Sequence, residues 1–159
     1  MCLVCDGWTR EEVLAQHLLA IEEQGWSHEA VEGDGTGPPF SYTIGLTRQD
    51  GHPEVVVSGL EPYVADHLLH AVADRVLAGH RLAAGGEVDL GLDVWFKLIG
   101  VRRPQRLVTA QEIYATPGHA GLVLALQLVW PDHAGLWPWE LPWRQARRVQ
   151  ELFGTSPWA

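Results

Sequence analysis

Residues 38–60, PPFSYTIGLTRQDGHPEVVVSGL, carry two short runs rich in aromatic and β-branched residues with a turn between them. Phe40 to Leu46 reads as a strand, with Phe40, Tyr42 and Ile44 on one face and Ser41, Thr43 and Gly45 on the other. Arg48-Gln49-Asp50-Gly51 has turn chemistry. Pro53 can open a strand but cannot sit inside one, so the second run is Glu54 to Ser58. Its apolar character places it in the middle of a sheet. Two strands follow one another here with no helix between them. That is an α+β pattern, not strict βαβ alternation.

Upstream, Thr9-Arg10-Glu11-Glu12 reads as a capping box opening a helix that Gly25 ends. Val13, Leu14, Leu18 and Ile21 form its apolar stripe. Trp26 to Val31 alternates as a strand, and residues 33–37 with Pro38 and Pro39 form a loop. Downstream, Pro62 starts a helix that stops at Gly79, with Val64, Leu68, Val72 and Val76 as its core stripe. Val94 to Val101 and Leu122 to Trp130 read as strands, the latter too apolar for an edge. A last helix spans Trp143 to Phe153. The expected fold is α+β: a mostly antiparallel sheet of about five strands with helices packed on one face.

The chain has 159 residues, 47% of them hydrophobic, enough for one domain with a full core. No run approaches the ~20 apolar residues of a membrane helix. Residues 1–15 lack the apolar segment of a signal peptide, so a cytoplasmic protein is expected. The net charge is −9, and it divides unevenly into −12 over residues 1–96 and +3 over residues 97–159. Such an acidic chain disfavours nucleic-acid binding, which needs a basic face.

Four groups of residues could carry chemistry. Cys2 and Cys5 are the two cysteines, in C-x-x-C spacing. They are a metal half-site, a redox pair or a small apolar plug, and a tetrahedral zinc site would need two further ligands. His28, Tyr42, Thr43, His52 and Glu54 fall on neighbouring strands or their ends. His52 and Glu54 share a face in an extended chain, where the carboxylate could orient the imidazole as a base. The opposing structural reading has Glu54 bonded to the amides of loop 33–37. His67-x-x-His70 lies on the second helix, one turn apart, a spacing that can hold a metal, but together with Asp66 and Asp74 it avoids the core stripe and reads as a wet face. Gln127 and Asp132, with Trp130, Trp137, Trp139 and Trp143, either staple the C-terminal segment to the sheet or wall a pocket. A buried Gln127 must find partners in either case.

The motifs MCLVCD, PPFSYTIGL, HPEVVVSGL, LALQLVWPD and GLWPWE, together with Gly25-Trp26, resemble a bacterial family catalogued as a domain of unknown function, number 4262. The resemblance covers almost the whole chain. It implies a single cytosolic domain with these motifs gathered by the fold, and it implies no activity.

The residues support two classes of function. One is a small enzyme or ligand-binding domain with a pocket between the sheet and the Trp-Pro-Trp segment. There His52, Glu54 and Tyr42 would be catalytic, and His28, Thr43, Gln127, Asp132, Trp137 and Trp139 would bind a small-molecule or peptide ligand. Cys2 and Cys5 could link it to zinc or another transition metal, with His119, His133 or a second chain completing the site. The other is a protein-interaction module, of inhibitor or immunity type, that meets a basic protein partner through its acidic N-terminal half, with a surface patch of Glu22, Glu23, Glu29, Glu32 and Asp34.

Overall fold

Thr9 opens the first helix as its spacing predicts. Its hydroxyl accepts from the Glu12 amide at 3.2 Å, and the Glu12 carboxylate accepts from the Thr9 amide at 2.7 Å. The computed structural model describes residues 6–115 and 121–158, so Cys2, Cys5 and His119 lie outside the described residues. The elements in chain order are α1 (Arg10–Gln24), β1 (Ser27–Val31), β2 (Phe40–Ile44), β3 (Glu54–Ser58), α2 (Pro62–Leu77), β4 (Glu87–Asp89), β5 (Trp95–Gly100), α3 (Val108–Tyr114), β6 (Ala125–Val129) and α4 (Trp143–Val149).

The six strands form one sheet in the order β1-β2-β3-β6-β5-β4. All neighbours are antiparallel except β3 and β6, which run parallel with Glu54 opposite Ala125. The α+β class and the mostly antiparallel sheet agree with the sequence. The sheet has six strands where about five were expected, because the three-residue β4 is too short to register as a pattern. β3 and β6 occupy the centre, as their apolar runs require.

The helices divide between the two faces, where one covered face was expected. α2 buries Leu68, Leu69, Val72 and Val76 against Val55, Val57, Leu126 and Leu128. On the opposite face, Ile21 of α1 and Ala110 of α3 pack with Tyr42, Ile44, Val56 and Ala125. In α1 the buried stripe is Val13, His17 and Ile21, and Leu18 is exposed. His17 takes the inward position because Ser27 meets its Nδ1 at 2.8 Å. In α2, Ala65 is buried in place of the half-buried Val64.

α4 ends at Val149, four residues short of the expected Phe153. Beyond it the chain runs extended across the sheet. The Glu151 amide donates to Ser58 Oγ and the Arg102 amide to the Phe153 carbonyl.

Candidate functional site

Glu54, at the start of β3, is fully buried. Its Oε1 accepts from the Gly45 amide at 2.7 Å and the Thr47 amide at 3.2 Å; its Oε2 accepts from Thr43 Oγ1 at 2.6 Å and the Leu46 amide at 3.2 Å. The three amides converge because Gly45, at φ +116°, turns the chain into a short 3-10 turn over Leu46–Arg48. Burial pushes the carboxyl up to about 7, against the pull of these four donors. The donors are amides 45–47, not those of loop 33–37. His52 is also buried, with Nδ1 donating to the Pro53 carbonyl at 2.7 Å and Nε2 accepting from the Leu82 amide at 2.9 Å. Burial holds its pKa low, which suits this neutral tautomer. Both ring nitrogens are therefore engaged with backbone, and His52 makes no hydrogen bond to Glu54.

Tyr42 belongs to a second polar group, on the α1/α3 face. Its hydroxyl donates to Glu29 and accepts from the Thr109 amide at 3.0 Å. Thr109 Oγ1 also donates to Glu29, at 2.7 Å, while His17 Nε2 and Arg10 Nη1 lie 3.6 and 3.9 Å from its other oxygen. Burial raises the Glu29 carboxyl, but contacts with His17, Tyr42 and Thr109 outweigh it and bring the group to about 2. Burial, then the charge of Glu29, push the Tyr42 phenol upward. Tyr42 is a locked proton donor that ties α3 to the sheet. Glu29, expected on a surface acidic patch, is instead largely enclosed in this group, and Arg10, His17 and Thr109 carry no signal in the sequence that marks them as its partners.

Of the C-terminal candidates, Gln127 staples the last segment to the sheet, Asp132 closes a local turn and Trp143 stands largely exposed. Gln127 Nε2 donates to the Glu151 carbonyl and its Oε1 accepts from the Phe153 amide, both at 2.7 Å. Asp132 Oδ1 accepts from the Ala134 and Leu136 amides, closing a turn. Trp137 and Trp139 stack at 5.5 Å and Trp139 on Trp158 at 5.8 Å, with Lys97 Nζ 4.2 Å over the Trp158 ring. The space between Trp130, Asp132, Leu136, Pro138, Val149 and Gln150 is about 20 Å³, room for about one water molecule.

The α2 face presents a different arrangement. His28 Nε2 of β1 lies 2.7 Å from Asp66 Oδ1, and His70 Nδ1 lies 3.4 Å from the same oxygen. Asp66 Oδ1 is shielded from solvent, and no donor among the described residues meets it in hydrogen-bond geometry. The buried Trp26 ring backs both imidazoles, at 4.8 Å from His70 and 5.6 Å from His28. Burial lowers the His28 pKa, with His70 adding to the effect and Asp66 opposing it, so the neutral ring is favoured. Among the described residues, the donor atoms of His28, Asp66 and His70 lie within 4.8 Å of one another, close enough to hold a metal ion.

A groove of about 220 Å³ lies on this face, lined by Ala30, Val31, Pro39, Ser41, Leu60 and Pro62. Ala30 follows His28 on the same strand face about 7 Å along, and Pro62 precedes Asp66 by about one helical turn, ~5.4 Å. The groove therefore lies one strand step and one helical turn from the three side chains, none of which lines it. A larger open cleft of about 480 Å³ runs along Asp6, Trp8, Glu12 and Gln16, where Glu12 is already engaged by the Thr9 amide.

The family model described as a domain of unknown function, DUF4262, matches residues 20–144. The chain belongs to this family. No curated protein matches it, and neither does any solved structure. The DUF4262 span contains Glu54, His52 and the whole His28/Asp66/His70 group, but not Cys2, Cys5, Arg10, His17 or the Gln127 partners Glu151 and Phe153. No helix among the described residues is long and apolar enough to cross a membrane.

Proposed function

We propose that this DUF4262 protein is a cytoplasmic ligand-binding or catalytic domain that works through the groove on the α2 face. One observation carries the reading: a largely apolar groove is lined by Ala30 and Pro62, the next positions along β1 and α2 from a set of convergent polar side chains, and such a pairing is the usual make-up of a ligand site. Tyr42, Thr43, His52, Glu54 and Gln127 already spend their hydrogen-bonding capacity on the fold. The space under the Trp-Pro-Trp segment is about tenfold smaller than the groove. At about 220 Å³ the groove falls below the ~300–1,000 Å³ of sites for drug-sized ligands. It suits a small metabolite or one or two side chains of a peptide.

The test is to record amide NMR spectra against a set of small heteroaromatic fragments and short peptides. Shifts should gather at Ala30, Gly33, Ser41 and Leu60, and Ala30→Trp, which fills the groove, should remove them. Shifts confined to other surfaces, or untouched by Ala30→Trp, would reject the reading.

A second reading, an interaction module for a basic protein, has one observation in its favour. The outer side of α1 exposes Leu18 and Leu19 beside Glu22 and Glu23. It predicts a partner whose affinity falls with salt and with Glu22→Lys plus Glu23→Lys. A partner that binds the double variant unchanged counts against it.

A further inference from the structure

We propose that His28, Asp66 and His70 bind a divalent transition-metal ion of the zinc type, leaving a further coordination position for water or a ligand in the nearby groove. The inference deepens the groove reading and rests on it only for the use made of the open position.

The argument starts from donor chemistry. Two imidazoles and one carboxylate are a ligand set of zinc sites that keep a position open, and a related set holds other first-row metals. The elements supply this set from two directions: α2 places Asp66 and His70 one turn apart, and β1 brings His28 across from the sheet. Asp66 Oδ1 lies 2.7 Å from His28 Nε2 without a proper hydrogen bond to it, which leaves its lone pairs for a cation. His70 Nδ1 also lies 2.9 Å from the Asp66 carbonyl oxygen. That contact puts the proton on Nδ1 and the lone pair on Nε2, as second contacts of ligand imidazoles do. Trp26 fixes both rings from behind.

The distances are compatible. Donors on tetrahedral zinc stand about 3.3 Å apart, given metal–nitrogen distances of about 2.0–2.1 Å. The present spread of up to 4.8 Å must therefore contract by about 1.5 Å. The side chains of His28, Asp66 and His70 are only half-buried, 34, 42 and 47% exposed, so side-chain rotation alone can supply that movement.

Cys2 and Cys5 are the rival ligands, so the experiment uses the Cys2→Ser/Cys5→Ser protein. Cobalt(II) is titrated by visible absorption, and zinc by competition with a chromophoric chelator. The expected result is one metal per chain, with cobalt bands of nitrogen and oxygen ligation and no thiolate charge transfer. Asp66→Asn, His28→Ala and His70→Ala should each weaken binding by at least about tenfold. Circular dichroism and a metal-induced rise in Tm, present in the parent and absent in the variants, separate ligand loss from misfolding. Metal that disappears with the cysteines, or affinity unchanged in His28→Ala/His70→Ala, overturns the proposal. Ala30→Trp separates the two readings. If it keeps the metal but no fragment shift is ever seen, the groove reading fails alone; if fragments bind and metal does not, the metal centre fails alone.

Discussion

Glu29→Gln offers a quantitative check on the α1/α3 face. Glu29 is held by Tyr42, Thr109 and His17, with Arg10 at 3.9 Å, and its carboxyl sits near 2 against 4.5 for the free group. The folded value is depressed. Its stabilisation is therefore complete above about pH 4.5 and is lost as pH falls through that window towards 2. About 2.5 units at about 1.4 kcal/mol each give an upper figure near 3.4 kcal/mol. About a fifth of the side chain is exposed, and solvent screening reduces the figure to about 2–3 kcal/mol. The assay is urea unfolding by tryptophan fluorescence for both proteins, from pH 6 down to the lowest pH at which both fold. Taking their difference cancels the other carboxylates. Glu29→Gln should be the less stable by about 2–3 kcal/mol at pH 6, and the gap should shrink steadily below pH 4.5. A gap that stays constant through that window would refute the electrostatic account and leave only packing.

Two further substitutions probe the structural assignments. Glu54→Ala removes the acceptor of two buried amides, the part-buried Thr47 amide and one hydroxyl; it should cost at least about 3 kcal/mol in urea unfolding at pH 8. A stable variant that instead loses groove binding would return Glu54 to the functional list. Gly59→Ala would place a Cβ 1.9 Å from the Val149 carbonyl oxygen at a φ of +84°. It should lower stability by several kcal/mol and free the segment after α4, read as faster hydrogen exchange at the Glu151 and Phe153 amides. Unchanged exchange there would contradict the clamp of this segment on the sheet.

Local signals made much of the fold legible. The Thr9/Glu12 capping box, the Pro53 start of β3 and the Gly79 stop after α2 all act within a few residues, where sequence spacing is a direct guide. α3 escaped notice because it opens without a side-chain cap, on Leu107 and Val108. α4 was read too long because its end is set by distant partners, Ser58 and Gln127, that draw residues 151–153 out of helical geometry. The polar strand residues were correctly expected to need partners. Which partners they found was a matter of tertiary packing: turn amides for Glu54, the C-terminal backbone for Gln127.

The His28/Asp66/His70 group shows the same division more sharply. Asp66 and His70 stand at i and i+4 on one helix, so two of the group's three members were present together in the sequence. The reading paired His70 with His67 instead, and His67 is exposed. What sequence spacing could not supply is the face of β1 that α2 covers. Strand alternation sends His28 to one side and Glu29 to the other. With α1 and α3 on Glu29's side, that carboxylate is enclosed and becomes part of the fold. With α2 on His28's side, the imidazole meets Asp66 and His70 one strand step from a groove. With all helices on one face, as the sequence suggested, one of the two groups would have been left uncovered. Their separation by the sheet is why one can be fully committed to structure while the other keeps donors available for a ligand.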